Sequence, residues 1–471
     1  VAREVEGLGE VAGFMTSTES HCAWLQDGTT RCWGYNTYHQ LGRGGEHAVA
    51  GSVTIPLLMD PFFEEAITGI TLAGEAVCAL GASGVRCWGG KGSYLATTNG
   101  QWYPSAIPGD PVLWGSGAPV HATAVSLLQP YNKSEEQAAC AILDDGKAAC
   151  WGYGGSGVLG NGSSASSTVA KYVTESAGVP LADVVALEGA DREFCAISGP
   201  EQEVSCWGTG TNEIVADGVS SPTTNAHPQP VPRLEEDGFL TGATSLAVSG
   251  TYSNITPHGC AALEPDGEVW CWGNDDDGQL GDGEPGGRRE EAAPVILYQD
   301  PSLPEARLQG VHKVATASGT SCAITEEEGQ LYCWGSDDDG TAANGALPEA
   351  AAAQKSVGQI GYIDIAAGFR HFVALHESGS LLFWGDGLGF VFGNGLSGDK
   401  TTPTPLAVDP AMIPGFSAIF AGALKTCGLD STGALWCWGN NTMATLGQGT
   451  YFSDDPQPVV GLDLPIPEGD Q

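Results

Sequence analysis

Residues 260–273 read CAALEPDGEVWCWG, and near copies of this stretch recur along the whole chain. The clearest copies are CAWLQDGTTRCWG from residue 22, CAILDDGKAACWG from residue 140, CAITEEEGQLYCWG from residue 322 and CGLDSTGALWCWG from residue 427. Cys78 and Cys195 open shorter or more divergent versions. An eighth copy, VALHESGSLLFWG, has Val373 and Phe383 at the two cysteine positions. The chain therefore repeats one unit eight times.

Each unit ends on a Trp-Gly step, which marks the length of the repeat. Successive steps are 50 to 65 residues apart, and their tryptophans are Trp33, Trp88, Trp151, Trp207, Trp272, Trp334, Trp384 and Trp438. The 32 residues before the first step and the 33 after the last together make one further unit. A period of this size is typical of propellers and solenoids. We expect residues 1–471 to form one domain, with its two ends completing a shared unit.

The cysteines of each unit flank a turn, so each unit is interpreted as a hairpin. Cys22 and Cys32 are equidistant from Asp27, which leaves a three-residue loop ending in Gly28, the signature of a type I turn followed by a glycine bulge. Two cysteines that face each other across antiparallel strands are close enough to form a disulfide. We therefore expect seven local disulfides: Cys22–Cys32, Cys78–Cys87, Cys140–Cys150, Cys195–Cys206, Cys260–Cys271, Cys322–Cys333 and Cys427–Cys437.

The cysteine pattern also bears on the compartment. The chain has 14 cysteines and no Cys-x-x-Cys motif, so zinc ribbons and thioredoxin-like chemistry have no signature here. Local pairs of this kind favour an oxidised, exported protein, whereas the alternative is a cytosolic protein with buried, reduced cysteines. The sequence starts at Val1 without a charged and apolar leader, which fits a mature chain whose signal peptide has been removed. The predicted location is extracellular or at the cell surface.

The charge of the chain argues against one class of partner, and its lack of a long apolar run argues against another. Aspartate and glutamate total 57 against 18 lysines and arginines, a formal net charge of −39 at pH 7. A nucleic-acid binder needs a basic surface to displace counterions from phosphates, so we expect no nucleic-acid partner. No apolar run is long enough for a membrane-spanning helix, so we expect no membrane insertion.

The repeat resembles that of the regulator of chromosome condensation family. The likeness is carried by Gly278-Gln279-Leu280-Gly281 and by the stretch from Gly368 to Gly385, and it extends over nearly the whole chain. The resemblance implies an all-β fold, a single β-propeller with four-stranded antiparallel blades. The family usually has seven blades, but eight repeats predict eight blades here. The paired cysteines most resemble those of exported bacterial members.

Two sets of polar residues are candidates for chemistry, although no catalytic motif is present. His258 and His371 precede the first cysteine position by two residues, where the alternatives are a structural role near the propeller axis and a metal or catalytic role. Acidic residues cluster at Asp275, Asp276, Asp277, Asp282 and Glu284, and again at Asp337, Asp338 and Asp339. Because their spacing is not that of an EF-hand, a solvated loop is favoured over a Ca²⁺ site. We expect no cofactor and no catalytic residue.

Two functions of different kinds remain. The favoured one is an exported, non-enzymatic propeller that acts as a protein-interaction or structural scaffold, because a propeller presents two loop-rich faces on a rigid ring. Its partner is a protein, a glycan or a second copy of the chain, and self-assembly would give a surface layer or filament. The alternative is a secreted polysaccharide lyase or hydrolase with an acidic site at the propeller axis.

Overall fold

The computed structural model is an all-β protein whose described residues form 31 strands. It describes residues 3–4, 8–17, 20–36, 39–41, 49–54, 67–74, 76–90, 95, 111–128, 136–190, 192–209, 224–234, 238–250, 257–284, 286–298, 306–337, 339–344, 350–356, 359–387, 391–392, 398–406 and 415–440. Residues 441–471 of the expected single domain, and Asp338 of the second acidic cluster, lie outside this set. None of the described helices is long and apolar enough to cross a bilayer.

The strands are short and follow one another at regular intervals. In chain order they are β1 Arg3–Glu4, β2 Val11–Thr16, β3 Ser20–Leu25, β4 Thr30–Tyr35, β5 Val49–Thr54, β6 Gly69–Ala73, β7 Ala76–Gly81, β8 Gly84–Gly89, β9 Ala122–Leu127, β10 Ala138–Leu143, β11 Ala148–Gly152, β12 Ser167–Tyr172, β13 Ala186–Ala190, β14 Glu193–Ser198, β15 Glu203–Thr209, β16 Thr224–Pro230, β17 Ala243–Val248, β18 His258–Leu263, β19 Glu268–Asn274, β20 Arg288–Pro294, β21 Val311–Ala317, β22 Thr320–Thr325, β23 Leu331–Gly335, β24 Ala350–Lys355, β25 Tyr362–Ala367, β26 His371–His376, β27 Leu381–Gly385, β28 Lys400–Pro405, β29 Phe416–Gly422, β30 Lys425–Asp430 and β31 Leu435–Gly439. A short 3₁₀ turn, Gly155–Gly157, follows β11.

These strands form eight antiparallel sheets, which confirms the predicted eight-bladed propeller. The blades are β2–β5, β6–β8, β9–β12, β13–β16, β17–β20, β21–β24, β25–β28 and β29–β31 with β1, numbered 1 to 8. Seven have four strands, and the described part of blade 2 has three. The first strand of every blade contacts the first strands of the two neighbouring blades, and β29 contacts β2. These inner strands therefore line the axis of a closed ring.

The ring is closed by the strand nearest the start of the chain. β1 pairs antiparallel with β31, and Arg3 lies opposite Cys437. It supplies the outer strand of blade 8, whose other three strands come from the last described residues. β1 and the last three described strands thus form one shared blade, which is the arrangement that the residue arithmetic favours.

The hairpin turns follow the predicted geometry. In blade 1 the Gly28 amide donates to the Leu25 carbonyl at 2.9 Å, and the Leu25 amide donates to the Thr29 carbonyl at 2.8 Å. Gly28 has a φ of 81°, the left-handed conformation that this turn requires of its last residue. The turn ending in Gly146 repeats the same two hydrogen bonds. Glycine stands at this position because residues with a Cβ rarely adopt a positive φ.

All seven predicted cysteine pairs are joined within their blades. Each links the second strand to the third, and the paired Cα atoms are 4.1 to 4.2 Å apart. In blade 7 the same two positions are Val373 and Phe383, which lie directly opposite each other in the ladder. An apolar pair therefore occupies the place of the eighth disulfide.

The core lies between the blades, where the disulfide of one blade packs against the repeat tryptophan of the next. One core cluster contains Cys260 and Cys271 of blade 5 together with Trp334 of blade 6. The corresponding groupings recur at the other interfaces, and at the last of them Val373 and Phe383 pack with Trp438. In four blades the indole also donates back to the preceding blade, as from Trp334 Nε1 to the Gln279 carbonyl at 2.9 Å. Each Trp-Gly step therefore couples two blades.

The glycine of the Trp-Gly step shapes the end of the third strand. Gly335 has a φ of 103°, and a Cβ there would lie 2.3 Å from the Gly319 carbonyl oxygen. The pairing of the third strand with the outer strand shifts register at this residue, which marks a β-bulge. The other seven repeat glycines also have a positive φ: Gly34, Gly89, Gly152, Gly208, Gly273, Gly385 and Gly439. Backbone conformation and close packing thus account for this repeated glycine.

Candidate interaction face

The propeller has two different faces, because the strands of a blade alternate in direction. The turns between the second and third strands, and the connections from each outer strand to the next blade, lie at one end of the ring, which we call the hairpin face. The turns between the first and second strands, and the connections that carry the Gln-Leu-Gly signature, lie at the other end, the loop face. The predicted polar candidates fall on the loop face.

The two candidate histidines are buried between blades at the loop face. His258 Nδ1 lies 3.0 Å from Ser249 Oγ, and Nε2 lies 2.8 Å from Ser321 Oγ of the next blade. His371 Nε2 similarly lies 3.1 Å from Thr426 Oγ1 of blade 8. Burial lowers the pKa of His258 to about 3 and that of His371 to about 4. Both histidines therefore stay neutral near pH 7 and hydrogen-bond across a blade interface.

The first acidic cluster is divided between a structural and an ion-paired part. Asp275 is buried, and its Oδ1 accepts a hydrogen bond from the Leu280 amide at 2.9 Å, which closes the Gln-Leu-Gly turn. Asn36 and Asp337 accept the corresponding amide hydrogen bonds in blades 1 and 6. Burial raises the pKa of Asp275 to about 7. This turn-closing role was missed from the sequence, although the polar residue recurs at the same place after Trp-Gly.

The remaining acidic residues do not converge on a common centre. The Arg289 guanidinium contacts Asp282 at 2.8 Å and Glu284 at 3.4 Å, and the Asn274 side chain donates to Asp276 at 2.9 Å. Among the described residues, no group of three or more histidine, cysteine, aspartate or glutamate side chains is arranged to hold a metal ion. The Ca²⁺ hypothesis thus finds no assembled ligand set in the described part of the chain.

The axis offers few carboxylates. Across the eight inner strands the acidic residues are Glu188 in blade 4 and Asp364 in blade 7. Asp364 forms an ion pair with Lys313 of blade 6. Glu188 is accessible to water but surrounded by the ring, and this loss of bulk water raises its pKa to about 7. The inner strands therefore bring no second unpaired carboxylate beside Glu188 for the acid–base pair that glycoside hydrolysis uses.

The hairpin face, in contrast, carries an acidic rim. Exposed carboxylates stand at the tips of the hairpins of six blades: Asp27, Asp144, Asp145, Glu201, Glu264, Asp266, Glu326, Glu327, Glu328 and Glu377. Exposed apolar side chains lie between them on the connections and strand starts of the same face: Val179, Val185, Phe239, Tyr298, Ile360 and Ile363. Acidic and apolar surface therefore alternate around this face from blade 3 to blade 7.

Several hairpins on this face are hydrogen-bonded to the next blade. In blades 5 and 7 the carbonyl of the turn glycine accepts the amide of the first residue of the following inner strand, from Val311 to Gly267 at 3.1 Å and from Phe416 to Gly379 at 2.8 Å. The blade 6 hairpin does the same, because the Tyr362 amide donates to the Gly329 carbonyl at 3.0 Å. The hairpin tips are thus held in fixed positions around the ring.

One of these junctions opens into a cavity. Between the hairpin of blade 6 and the start of blade 7 lies a cavity of about 510 Å³. It is lined by His312, Glu326, Glu327, Glu328, Gly329, Ile360, Gly361, Tyr362, Ile363 and Glu377. Sequence reasoning used the three glutamates only as a turn and did not select Tyr362. A signal was present, since Tyr362 occupies the position at which other blades have apolar residues such as Val11, Val311 and Phe416.

Comparison with known proteins agrees with the repeat. Residues 266–324 and 416–445 each match a model described as "Regulator of chromosome condensation (RCC1) repeat". The chain therefore contains RCC1 repeats. The structure adds what these two matches leave out, because all eight units fold into equivalent blades of one ring.

RCC1-repeat proteins of several kinds are similar to this chain. E3 ubiquitin-protein ligase HERC2 of Mus musculus is 28% identical over 287 residues, which cover 59% of this chain and 5% of HERC2. Ultraviolet-B receptor UVR8 of Arabidopsis thaliana is 27% identical over 325 residues, 68% of this chain and 66% of UVR8. This RCC1-repeat chain thus spans less than two thirds of the length of either relative.

Solved structures support the fold. Human WBSCR16 superposes with a TM-score of 0.57 at 14% identity, covering 87% of this chain and 98% of that one. Yeast RCC1 (Prp20), from its structure with Kap60, gives a TM-score of 0.57 at 16% identity, covering 92% of this chain and 91% of that one. At these identities the likeness shows the propeller architecture and not a shared activity.

Proposed function

We propose that this RCC1-repeat propeller is an exported, non-enzymatic scaffold whose hairpin face binds a protein of complementary, basic charge. The observation that supports the proposal is the alternation of exposed carboxylates and exposed apolar side chains on that face. A mixture of apolar anchors and a charged rim is the usual composition of a protein interface. The net charge of −39 favours a basic partner over a nucleic acid or a second copy of the acidic chain.

The covalent structure fits this role. Seven local disulfides and the glycine contacts between blades hold the hairpin tips in place, which reduces the entropy lost on binding. Buried disulfides in this number favour an oxidising compartment, so we include export in the proposal. The solved structure titled "Crystal structure of Kap60 bound to yeast RCC1 (Prp20)" is an example of a related propeller in a complex with a protein.

A matched pair of variants tests the proposed face. Glu264→Gln/Asp266→Asn removes two charges from the hairpin face of blade 5, and Asp276→Asn/Glu284→Gln removes two from the loop face of the same blade. The oxidised chain is immobilised and exposed to the secreted proteins of its host, and the captured partner is purified for titration. We expect the hairpin-face variant to weaken binding several-fold, the loop-face variant to leave it unchanged, and added salt to weaken it.

Three results would contradict the proposal. One is a partner whose binding depends on the loop-face pair and not on the hairpin-face pair. Another is turnover of a glycan by the purified chain, which would favour the lyase or hydrolase. The third is a filament or layer of the pure chain in electron microscopy, which would assign the function to self-assembly; imaging with and without a chelator shows whether Ca²⁺ holds such contacts.

A further inference from the structure

We infer that the cavity between blades 6 and 7 binds a lysine or arginine side chain of the partner. This inference rests on the proposed function and names the chemistry of one contact within it. It assigns to Glu326, Glu327, Glu328 and Glu377 a binding role that the repeat itself does not need. The occupant is a cationic side chain with an aliphatic stem, presented by a segment of the partner protein.

The charge of the cavity selects for a cation. Four glutamates line it, three from the tip of the blade 6 hairpin and Glu377 from the tip of the blade 7 hairpin. All four are exposed at the rim, and no lysine or arginine is among the described lining residues. The carboxylates are therefore available to a ligand. An anionic ligand, such as a phosphate or an acidic peptide, is excluded by the same charges.

Tyr362 and His312 line the cavity but offer no polar contact to a ligand. The Tyr362 hydroxyl group and His312 Nδ1 have no hydrogen-bond partner among the described residues, and both atoms are closed to water. Tyr362 is only 1% exposed and packs in the apolar core between blades 6 and 7. The polar contacts of a ligand must therefore come from the four glutamates.

The apolar part of the lining fits the stem of such a side chain. Ile360 and Ile363 are each 51% exposed and stand on the blade 7 side of the cavity. Lysine and arginine pack their methylene groups on apolar surface while the charged end reaches polar groups. An arginine entering from the hairpin face would lay its stem along the isoleucines and place its guanidinium among the glutamates. A free metal ion would leave this apolar surface uncovered.

The acidic lining is not a feature of the repeat. The run of three exposed glutamates occurs in no other described hairpin tip. The combination of this run with the exposed Ile360 and Ile363 is therefore an addition to the repeat and not a consequence of it.

The test uses a minimal probe and its uncharged analogue on the intact, oxidised chain. N-acetyl-L-arginine amide is titrated by ligand-observed NMR up to about 10 mM, which covers a millimolar Kd. N-acetyl-L-citrulline amide has nearly the same shape without the charge. We expect the arginine probe to bind and the citrulline probe to bind at least tenfold more weakly, with salt weakening only the former.

Variants locate the binding. Glu328→Gln/Glu377→Gln should weaken the binding of the arginine probe at least fivefold without changing the circular dichroism spectrum. The matched control is Asp276→Asn/Glu284→Gln, which removes the same charge from the loop face and should leave the affinity within twofold. Equal binding of the citrulline probe, equal loss in the control, or no binding at the highest concentration would each overturn the inference.

The two proposals fail separately. If the partner still depends on the blade 5 hairpin but the arginine probe does not bind, the cavity inference is wrong and the scaffold proposal stands. If the probe binds as expected but no partner depends on the hairpin face, the cavity is a cation site without the proposed scaffold function.

Discussion

Seven of the eight blade interfaces contain a disulfide, and the interface between blades 7 and 8 does not. At the seven, a disulfide packs against the tryptophan of the next blade, as Cys322–Cys333 does against Trp384. At the eighth, Val373 and Phe383 pack against Trp438, with the Phe383 and Trp438 rings 5.6 Å apart. The disulfide and the pair of Val373 and Phe383 thus occupy the same place in the repeat. The position therefore requires apolar volume, and the covalent bond is a separate contribution.

The largest effect should follow reduction of all seven disulfides. By the loop-closure estimate each contributes up to about 2.5–3 kcal/mol, which corresponds to about a hundredfold in local amide protection. Because the cysteines are buried, reduction needs dithiothreitol with mild denaturant. Hydrogen exchange measured by mass spectrometry should then accelerate in the seven linked hairpins and least in β26–β27 of blade 7. An equal acceleration in that hairpin would show that the disulfides act only globally.

The next largest loss of stability should follow substitution of the Trp-Gly glycine, which is present at both kinds of interface. Gly335→Ala adds a Cβ at a φ of 103° and 2.3 Å from the Gly319 carbonyl oxygen, so we expect a loss of about 3–5 kcal/mol in chemical denaturation. Gly385→Ala in blade 7, where the Cβ would be 2.5 Å from the Arg370 carbonyl oxygen, should cost about the same.

Gly286→Ala is the matched control for these two variants. Gly286 has a φ of 102° with nothing within 4 Å of an added Cβ, so the variant isolates the cost of the backbone conformation. It should lose only about 1–2 kcal/mol. If the three variants lose the same amount, the close contact with the carbonyl contributes nothing.

Replacing the two cysteines of blade 6 by the residues found in blade 7 measures directly what one disulfide contributes to the free energy of unfolding. Cys322→Val/Cys333→Phe keeps apolar volume between blades 6 and 7 and removes one disulfide. We expect a loss of about 2–3 kcal/mol in the free energy of unfolding. Cys322→Ala/Cys333→Ala should lose more, because it also leaves a cavity. A transplant no better than the alanine variant would mean that blade 7 depends on other local packing, such as that of Phe392 on Phe383.

The smallest effect concerns pH, and it tests the histidine that crosses the disulfide-free interface. Burial lowers the pKa of His371 to about 4 in the folded protein and outweighs a backbone hydrogen bond of Lys425, which raises the pKa. An unfolded histidine titrates near 6.5. The contribution of His371 is therefore complete above about pH 7 and is lost as the pH falls towards 4. Between pH 7 and 5 the stability difference from His371→Gln should shrink by about 2 kcal/mol.

Comparison with the variant is necessary, because Asp275 and Glu188 titrate in the opposite direction. Their folded pKa values are near 7, above those of unfolded carboxyl groups, so their contribution to the free energy of unfolding decreases as the pH rises. This contribution is the same in wild type and variant and cancels in the difference. A pH-independent difference between wild type and His371→Gln would show that the histidine is protonated in the folded state.

The fold was predictable because its signals are pairs of residues that lie close together in the sequence. Cys22 and Cys32 flank a turn that Gly28 completes, and the Trp-Gly steps recur at a distance typical of propellers and solenoids. The resemblance of the repeat to the regulator of chromosome condensation family then favoured the propeller. The turn-closing role of Asp275 was within reach but required knowledge of a buried amide. The cavity was not predictable, because it joins the hairpin of blade 6 to Tyr362 of the next blade. Its lining combines residues from two consecutive repeats, and the repeat pattern does not show that they are close in space.

The pairing of β1 with β31 gives the propeller a particular order of assembly. Arg3 is synthesised before the other described strands, but its partner Cys437 lies in the last of them. Local hairpins and their disulfides can form as each blade leaves the ribosome, whereas the latch between blade 8 and β1 must wait. Any chain stopped before β31 would carry several finished blades with an open sheet edge at each end. Such an edge is a template for pairing with another chain, so incomplete molecules would aggregate while complete ones would not.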